Sequence, residues 1–178
     1  MNKKLENDEL GRPSAAEARK GAKLPIVVLL DNVRSMSNVG SIFRTCDAFG
    51  VSELLLAGIT PKPPHREIQK TALGATESVP WRSVQDIKSE LNRLRERGYL
   101  ICAIEQAEKS IHPENIQYNE YAGVCLILGN EVTGVDQEIV NVSDVVAEIP
   151  QMGAKHSINV TVAAGVVIWE AYKALRSD

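Results

Sequence analysis

With 178 residues, 44% of them hydrophobic and 24% charged, the chain has the size and balance of one globular domain with a substantial core. A net charge of −3 gives no general support for a nucleic-acid partner, and three cysteines without a CxxC pair or a His/Cys cluster argue against a disulfide framework and a structural zinc site. The longest uncharged run, 157–169, falls short of the ~20 apolar residues that a membrane span needs.

Residues 1–24 are expected to be a polar arm, loosely helical or disordered, with six Lys/Arg against four Asp/Glu in an otherwise acidic chain. The opening "MNKKLENDELGRP" has no apolar signal core after its lysines, so a reducing, cytoplasmic setting is expected. "PIVVLLD" (25–31) reads as a strand buried on both faces. In "SNVGSIFRTCDAFG" (37–50), Val39, Ile42, Phe43, Cys46 and Phe49 recur at helical spacing, and Gly50 stops the helix. Arg44 falls on the polar side of that wheel, where a plain solvated charge and a functional arginine are both possible readings. "ELLLAG" (53–58) is strand-like, and "TPKPPH" (60–65) marks a loop. A helix over 84–97, ended by Gly98, leads into the strand "YLICAIE" (99–105). "AGVCLILG" (122–129) is the clearest strand, "GVDQEIVNVS" (134–143) a short helix, "DVVAEIP" (144–150) the last strand, and 157–176 the final helix. Strands alternating with helices predict an α/β domain over 25–178, a parallel sheet with helices on both faces.

In such sheets ligands gather beyond the C-terminal ends of the strands. Three polar, glycine-bearing segments follow predicted strands there: 31–44, "GNEVTGV" (129–135) and "PQMGAKHSINV" (150–160). Taken alone, Glu131 reads as a solvated loop carboxylate between Gly129 and Gly134. Ser157 or Asn159 can cap the last helix, which accounts for one of them but not for two small polar residues at i and i+2. His156 is a lone loop histidine, more often inert than catalytic. No Gly-x-Gly-x-x-Gly or Walker-type loop is present.

Together the segments resemble the SpoU (TrmH-like) family of RNA ribose 2′-O-methyltransferases over about residues 25–174. "NVGSIFRTCDAFG" carries Asn38, Gly40 and Arg44 of its first motif, "LILGNEVTGV" meets the second, and "IPQMGAKHSINV" the third, with Gln151 for the frequent Met and Ile158 for the usual Leu. The resemblance implies a C-terminal deep trefoil knot, here over roughly residues 126–165, which binds S-adenosylmethionine through Leu128, Gly129, Ile149 and Ile158. It implies Arg44 as the catalytic arginine, with Asn38, Glu131, Ser157 and Asn159 orienting it and the ribose, no metal, and a homodimer with the active site near the subunit interface. The short arm favours tRNA over rRNA as substrate. A non-catalytic RNA-binding or assembly protein on the same fold is the competing reading.

Overall fold

In the computed structural model, which describes residues 2–176, neighbouring residues of one central strand enter two separate cores. That strand, β1 (Leu24–Asp31), pairs in parallel with β2 (Val51–Ala57) on one side and β5 (Gly123–Leu128) on the other. Ile26, Val28 and Leu30 face a core shared with α2 (Met36–Ala48) and α7 (Val160–Leu175). Val27 and Leu29 face a second core shared with α5 (Ile87–Glu96) and α6 (Gln137–Val142). Both faces are covered, which is why β1 and β5 carry unbroken apolar runs rather than alternation. β3 (Trp81–Val84) extends the sheet beyond β2, while β4 (Tyr99–Ile104) and β6 (Val145–Ala147) extend it beyond β5. The order β3-β2-β1-β5-β4-β6, parallel throughout, matches the expected α/β class with helices on both faces.

Several boundaries differ from the sequence expectation. β3 is an addition to it: "WRSV" is a half-buried edge strand with an arginine in it, so it shows no apolar run. The helix expected from residue 84 starts instead at Ile87, because the Asp86 side chain accepts the Ser89 N–H at 3.1 Å and caps it there. Two short helices, α3 (Arg66–Ala72) and α4 (Ala75–Ser78), fill the stretch after the proline-rich loop and are too brief to show a period. β6 covers only three of the expected residues, and from residue 148 the chain leaves the sheet. α7 begins at Val160 rather than 157, with Asn159 as its cap.

The arm is partly helical. Ser14 caps α1 (Ala15–Lys20) in a reciprocal box with Glu17. Arg19 then donates to the carbonyls of Glu77 and Val79 at 3.1 and 3.3 Å, and Lys23 to that of Ser78 at 3.5 Å. Two cations of the arm thus sit at the carbonyl end of α4, where positive charge is favoured.

α2 is seated on the sheet by one face and gripped from outside by another helix. Val39, Ile42, Phe43 and Cys46 are fully buried, as their spacing predicts. The Ser35 hydroxyl accepts the Asn38 N–H at 3.3 Å and starts the helix. α3 lies directly against Gly40, where a Cβ would overlap Thr71 Oγ1 and the Ile68 carbonyl. Thr71 in turn donates to the Ser37 carbonyl at 3.0 Å. Gly40→Ala is expected to push the two helices apart at a cost of about 1–3 kcal/mol, the usual range for overpacking. Urea unfolding of the variant checks this, and an unchanged midpoint would refute the close contact.

Candidate active site

A cavity of about 480 Å³ opens beyond the C-terminal ends of β4, β5 and β6. Leu128, Gly129, Ile149 and Ile158, the four residues expected to hold a cofactor, all line it, with Ser157, Glu131 and Asn159 on its rim. Its size and its mixture of apolar side chains with a few polar groups are those of a small-molecule site. Apart from the His156 carbonyl, backbone groups of residues 149–158 have no partner among the described residues. Those of Ile149, Gln151, Ser157 and Ile158, which line the cavity, are placed to meet the polar edges of a ligand there. An adenosyl group, with flat apolar faces and polar edges, fits such a lining.

Beside the cavity stands a hydrogen-bonded cluster. Glu131 Oε2 accepts the Arg34 N–H at 3.0 Å, while Oε1 accepts the Ser35 N–H at 3.0 Å and Asn38 Nδ2 at 2.9 Å. A carboxylate is thereby held at the N-terminus of α2, where negative charge is stabilised. Asn159 Nδ2 reaches Asn38 Oδ1 at 3.5 Å, while its own oxygen accepts the Thr161 N–H at 2.7 Å to cap α7. Asn38, Glu131 and Asn159, far apart in sequence, thus join the loop after β1, the loop after β5 and the start of α7. These first two loops leave the sheet in opposite directions, the usual position of a ligand crevice. Burial tends to raise the Glu131 pKa, but the N–H of Arg34, the Asn38 amide and the neighbouring backbone outweigh it and hold the carboxyl below its usual range.

The loop that carries Glu131 is closed at its base. Asn130 and Gly134 exchange two backbone hydrogen bonds of 2.9 Å, with Gly134 at φ +71°. A Cβ on Gly129 would overlap the backbone of Gly134 and Val135, so glycine is needed there for the loop to fold back. Asn130 is a residue that the sequence reading misses. Its Nδ2 donates to the Asn32 carbonyl at 2.7 Å and its Oδ1 accepts the Val132 N–H at 2.8 Å. An Asn at the first loop position after a strand, able to turn the chain through its side chain, is the available signal. Asp31 is missed in the same way: it is buried, accepting Asn32 Nδ2 at 2.8 Å and the Asp136 N–H at 2.9 Å.

Arg44 lies apart from this cluster. It is six residues past Asn38, ~9 Å along the helix axis, exposed, and its side chain has no hydrogen bond or ion pair among the described residues. It faces a second hollow of about 520 Å³ with Lys70, Thr71, Leu73 and Phe49. Ser157 makes no side-chain hydrogen bond among the described residues. The His156 ring has no partner there either. All three cysteines are buried, and burial pushes the Cys102 thiol up to about 12, which leaves it no role as a nucleophile. Among the described residues no group of His, Cys, Asp and Glu could hold a metal ion, and no helix is long and apolar enough to cross a membrane.

Fold and site together define a parallel α/β protein with a cofactor-sized cavity at its C-terminal sheet edge. The chain belongs to the SpoU rRNA Methylase family, whose model matches residues 25–169. It is 32% identical over 154 residues to the tRNA (guanosine(18)-2′-O)-methyltransferase of Aquifex aeolicus, covering 83% of this chain and 69% of the relative. It is 31% identical over 168 residues to the enzyme of the same name from Thermus thermophilus, covering 94% and 84%. The AdoMet-bound rRNA methyltransferase from Sinorhizobium meliloti superposes with a TM-score of 0.80 at 30% identity, covering 90% of this chain and 61% of that one.

Because the Glu131 pKa is lowered in the folded state, its contribution to stability is complete above the ordinary value of 4.5 and is lost as pH falls through the lower folded value. Glu131→Gln is expected to cost about 1 kcal/mol at pH 7, a low value because the carboxylate is partly solvated. Its unfolding free energy should also fall less steeply than the wild type's on acidification below 4.5. Denaturant titrations at pH 7 and pH 3.5 check both; parallel pH profiles would refute the assignment.

Proposed function

We propose that the chain is an RNA methyltransferase that moves the methyl group of S-adenosylmethionine to a ribose 2′-OH, with tRNA favoured over rRNA. The observation that carries this reading is the meeting of Asn38, Glu131 and Asn159, one residue from each of three distant motifs, in a cluster whose Glu131 and Asn159 line a cofactor-sized cavity. The naming of relatives as tRNA 2′-O-methyltransferases points the same way. S-adenosylmethionine, when bound, supplies an electrophilic methyl on a positively charged sulfur. Leu128, Gly129, Ile149 and Ile158 would hold it. Glu131 and Asn38 fix the start of α2 against the cavity, and Ser157 offers a hydroxyl to the ribose.

A ribose hydroxyl is a poor nucleophile at neutral pH and must lose its proton as it reacts. Arg44 binds the adjacent phosphate and stabilises the developing alkoxide through its fixed charge. Because Arg44 faces away from the cavity of its own chain, a homodimer in which a two-fold partner brings the two together completes the site. An exposed apolar stripe on α7, made by Val162, Val166 and Trp169, supports such a contact. Phe49 and Tyr172 widen it, with ring centroids 5.7 and 5.5 Å from Trp169. The C-terminal trefoil knot and a cytoplasmic setting belong to the same reading.

Radiolabelled methyl transfer to total RNA, followed by nucleoside mass mapping, tests the function and names the nucleotide. Absence of transfer with intact RNA binding would favour the non-catalytic alternative. Arg44→Ala is expected to lower turnover by about 100-fold or more, with cofactor affinity retained in calorimetry. Lys should rescue it poorly for want of the planar fork. Near-normal turnover in the Ala variant would remove Arg44 from the mechanism. Light scattering at micromolar concentration should give a dimer mass, and a fully active monomer would overturn the shared-site arrangement.

A further inference from the structure

The two walls of the cavity are long loops, and each is held by one of two consecutive residues. Glu105 and Gln106 come directly after β4, and the Glu105 N–H is itself fixed to the Ala147 carbonyl of β6 at 3.0 Å. Glu105 Oε2 accepts the Val135 N–H at 2.9 Å, while Oε1 accepts the Gln106 N–H at 2.9 Å. The half-buried carboxylate lies against Gly134, where a Cβ would overlap it. The loop that carries Glu131 therefore rests on Glu105 at its closing residue. Gln106 points to the other wall. Its Nε2 donates to the His156 carbonyl at 3.0 Å, the one hydrogen bond that ties residues 149–158 to another element among the described residues.

We propose that Glu105 and Gln106 form a clamp at the end of β4 that fixes the two walls of the cavity relative to each other, making both positioning residues for the cofactor. The part concerning the cofactor rests on the methyltransferase reading. The chemistry of each is specific. Glu105 must be an acceptor on both oxygens, since both face backbone N–H groups. Gln106 must be a donor, since it faces a carbonyl. Glu105→Gln keeps the size but places an amide N–H₂ where one acceptor stood. Gln106→Glu keeps the size but has no proton to give, and sets a carboxylate against the carbonyl.

Amide hydrogen exchange by NMR on the full chain without cofactor reads the first half. Exchange at Val135 should be about tenfold faster in Glu105→Ala and intermediate in Glu105→Gln, while the β5 amides keep their protection. Gln106→Glu should leave Val135 protected. Calorimetry with S-adenosylmethionine reads the second half. All three variants should bind more weakly, Glu105→Ala by about tenfold or more, as loss of a charged acceptor entails. In methyl transfer the KM for the cofactor should rise while kcat at saturation and the KM for RNA hold, a split that general destabilisation would not give. Should Glu105→Ala fail to fold, the two isosteric variants carry the test. Val135 exchange and cofactor affinity within twofold of wild type in both would overturn the clamp. If the wild type bound no cofactor but the Val135 effect remained, the methyltransferase reading would fall and the clamp on the loops would stand.

Discussion

One carboxylate, that of Glu131, reaches from the loop after β5 to the start of α2, where it accepts the N–H groups of Arg34 and Ser35 just before the helix and the side-chain amide of Asn38 within it. Without it, the amides of Arg34 and Ser35 that lead into α2 would stand unpaired in the crevice where two loops part company. With it, those amides are paired, the helix is aligned, and Asn38 is aimed at Asn159 on the next element. The loop after β5, the start of α2 and, through Asn38, the start of α7 are therefore linked by a single charged group. A loop ordinarily too polar to have a fixed shape becomes a part of the scaffold.

That group can act only because the backbone around it is allowed to come close. Gly129 lets the loop fold back on its own base, and Gly40 lets α3 lie on α2. The two glycines serve opposite ends of the same arrangement: one closes the loop that bears the carboxylate, the other seats the helix that receives it. Both are fixed as glycine by the packing of the fold itself, before any ligand is considered.

How much of this is legible in the sequence depends on which residues are covered, and on how many sides. β1 and β5 are legible because both faces are buried, so "PIVVLL" and "VCLIL" have no polar interruption. α2 is legible because Val39, Ile42, Phe43 and Cys46 share one face. β3 is not, since an edge strand that holds Arg82 between Glu53 and Glu90 is written in charges. Asn38, Glu131 and Asn159 are legible as motif members, and the cavity lining with them. Their hydrogen bonds are not, because a contact between residues 93 or 121 positions apart leaves no local pattern. For the same reason Asn130 and Glu105, which act on backbone groups across the crevice, look like ordinary loop polars.

The sheet register has a bearing on how the chain comes to be folded in the cell. β1 is made well before its neighbour β5, which lies nearly a hundred residues further along. During synthesis, which runs from the N-terminus at roughly 5–20 residues per second, β1 can pair with β2 and then wait several seconds with its other edge bare. In that interval the backbone groups of Ile26 to Leu30 that later bond to β5 are an open template for any extended strand. The nascent half-sheet is thus exposed to edge pairing until β5 arrives. The cavity, whose lining spans residues 104–163, forms only after β5 and the segments beyond it have been made.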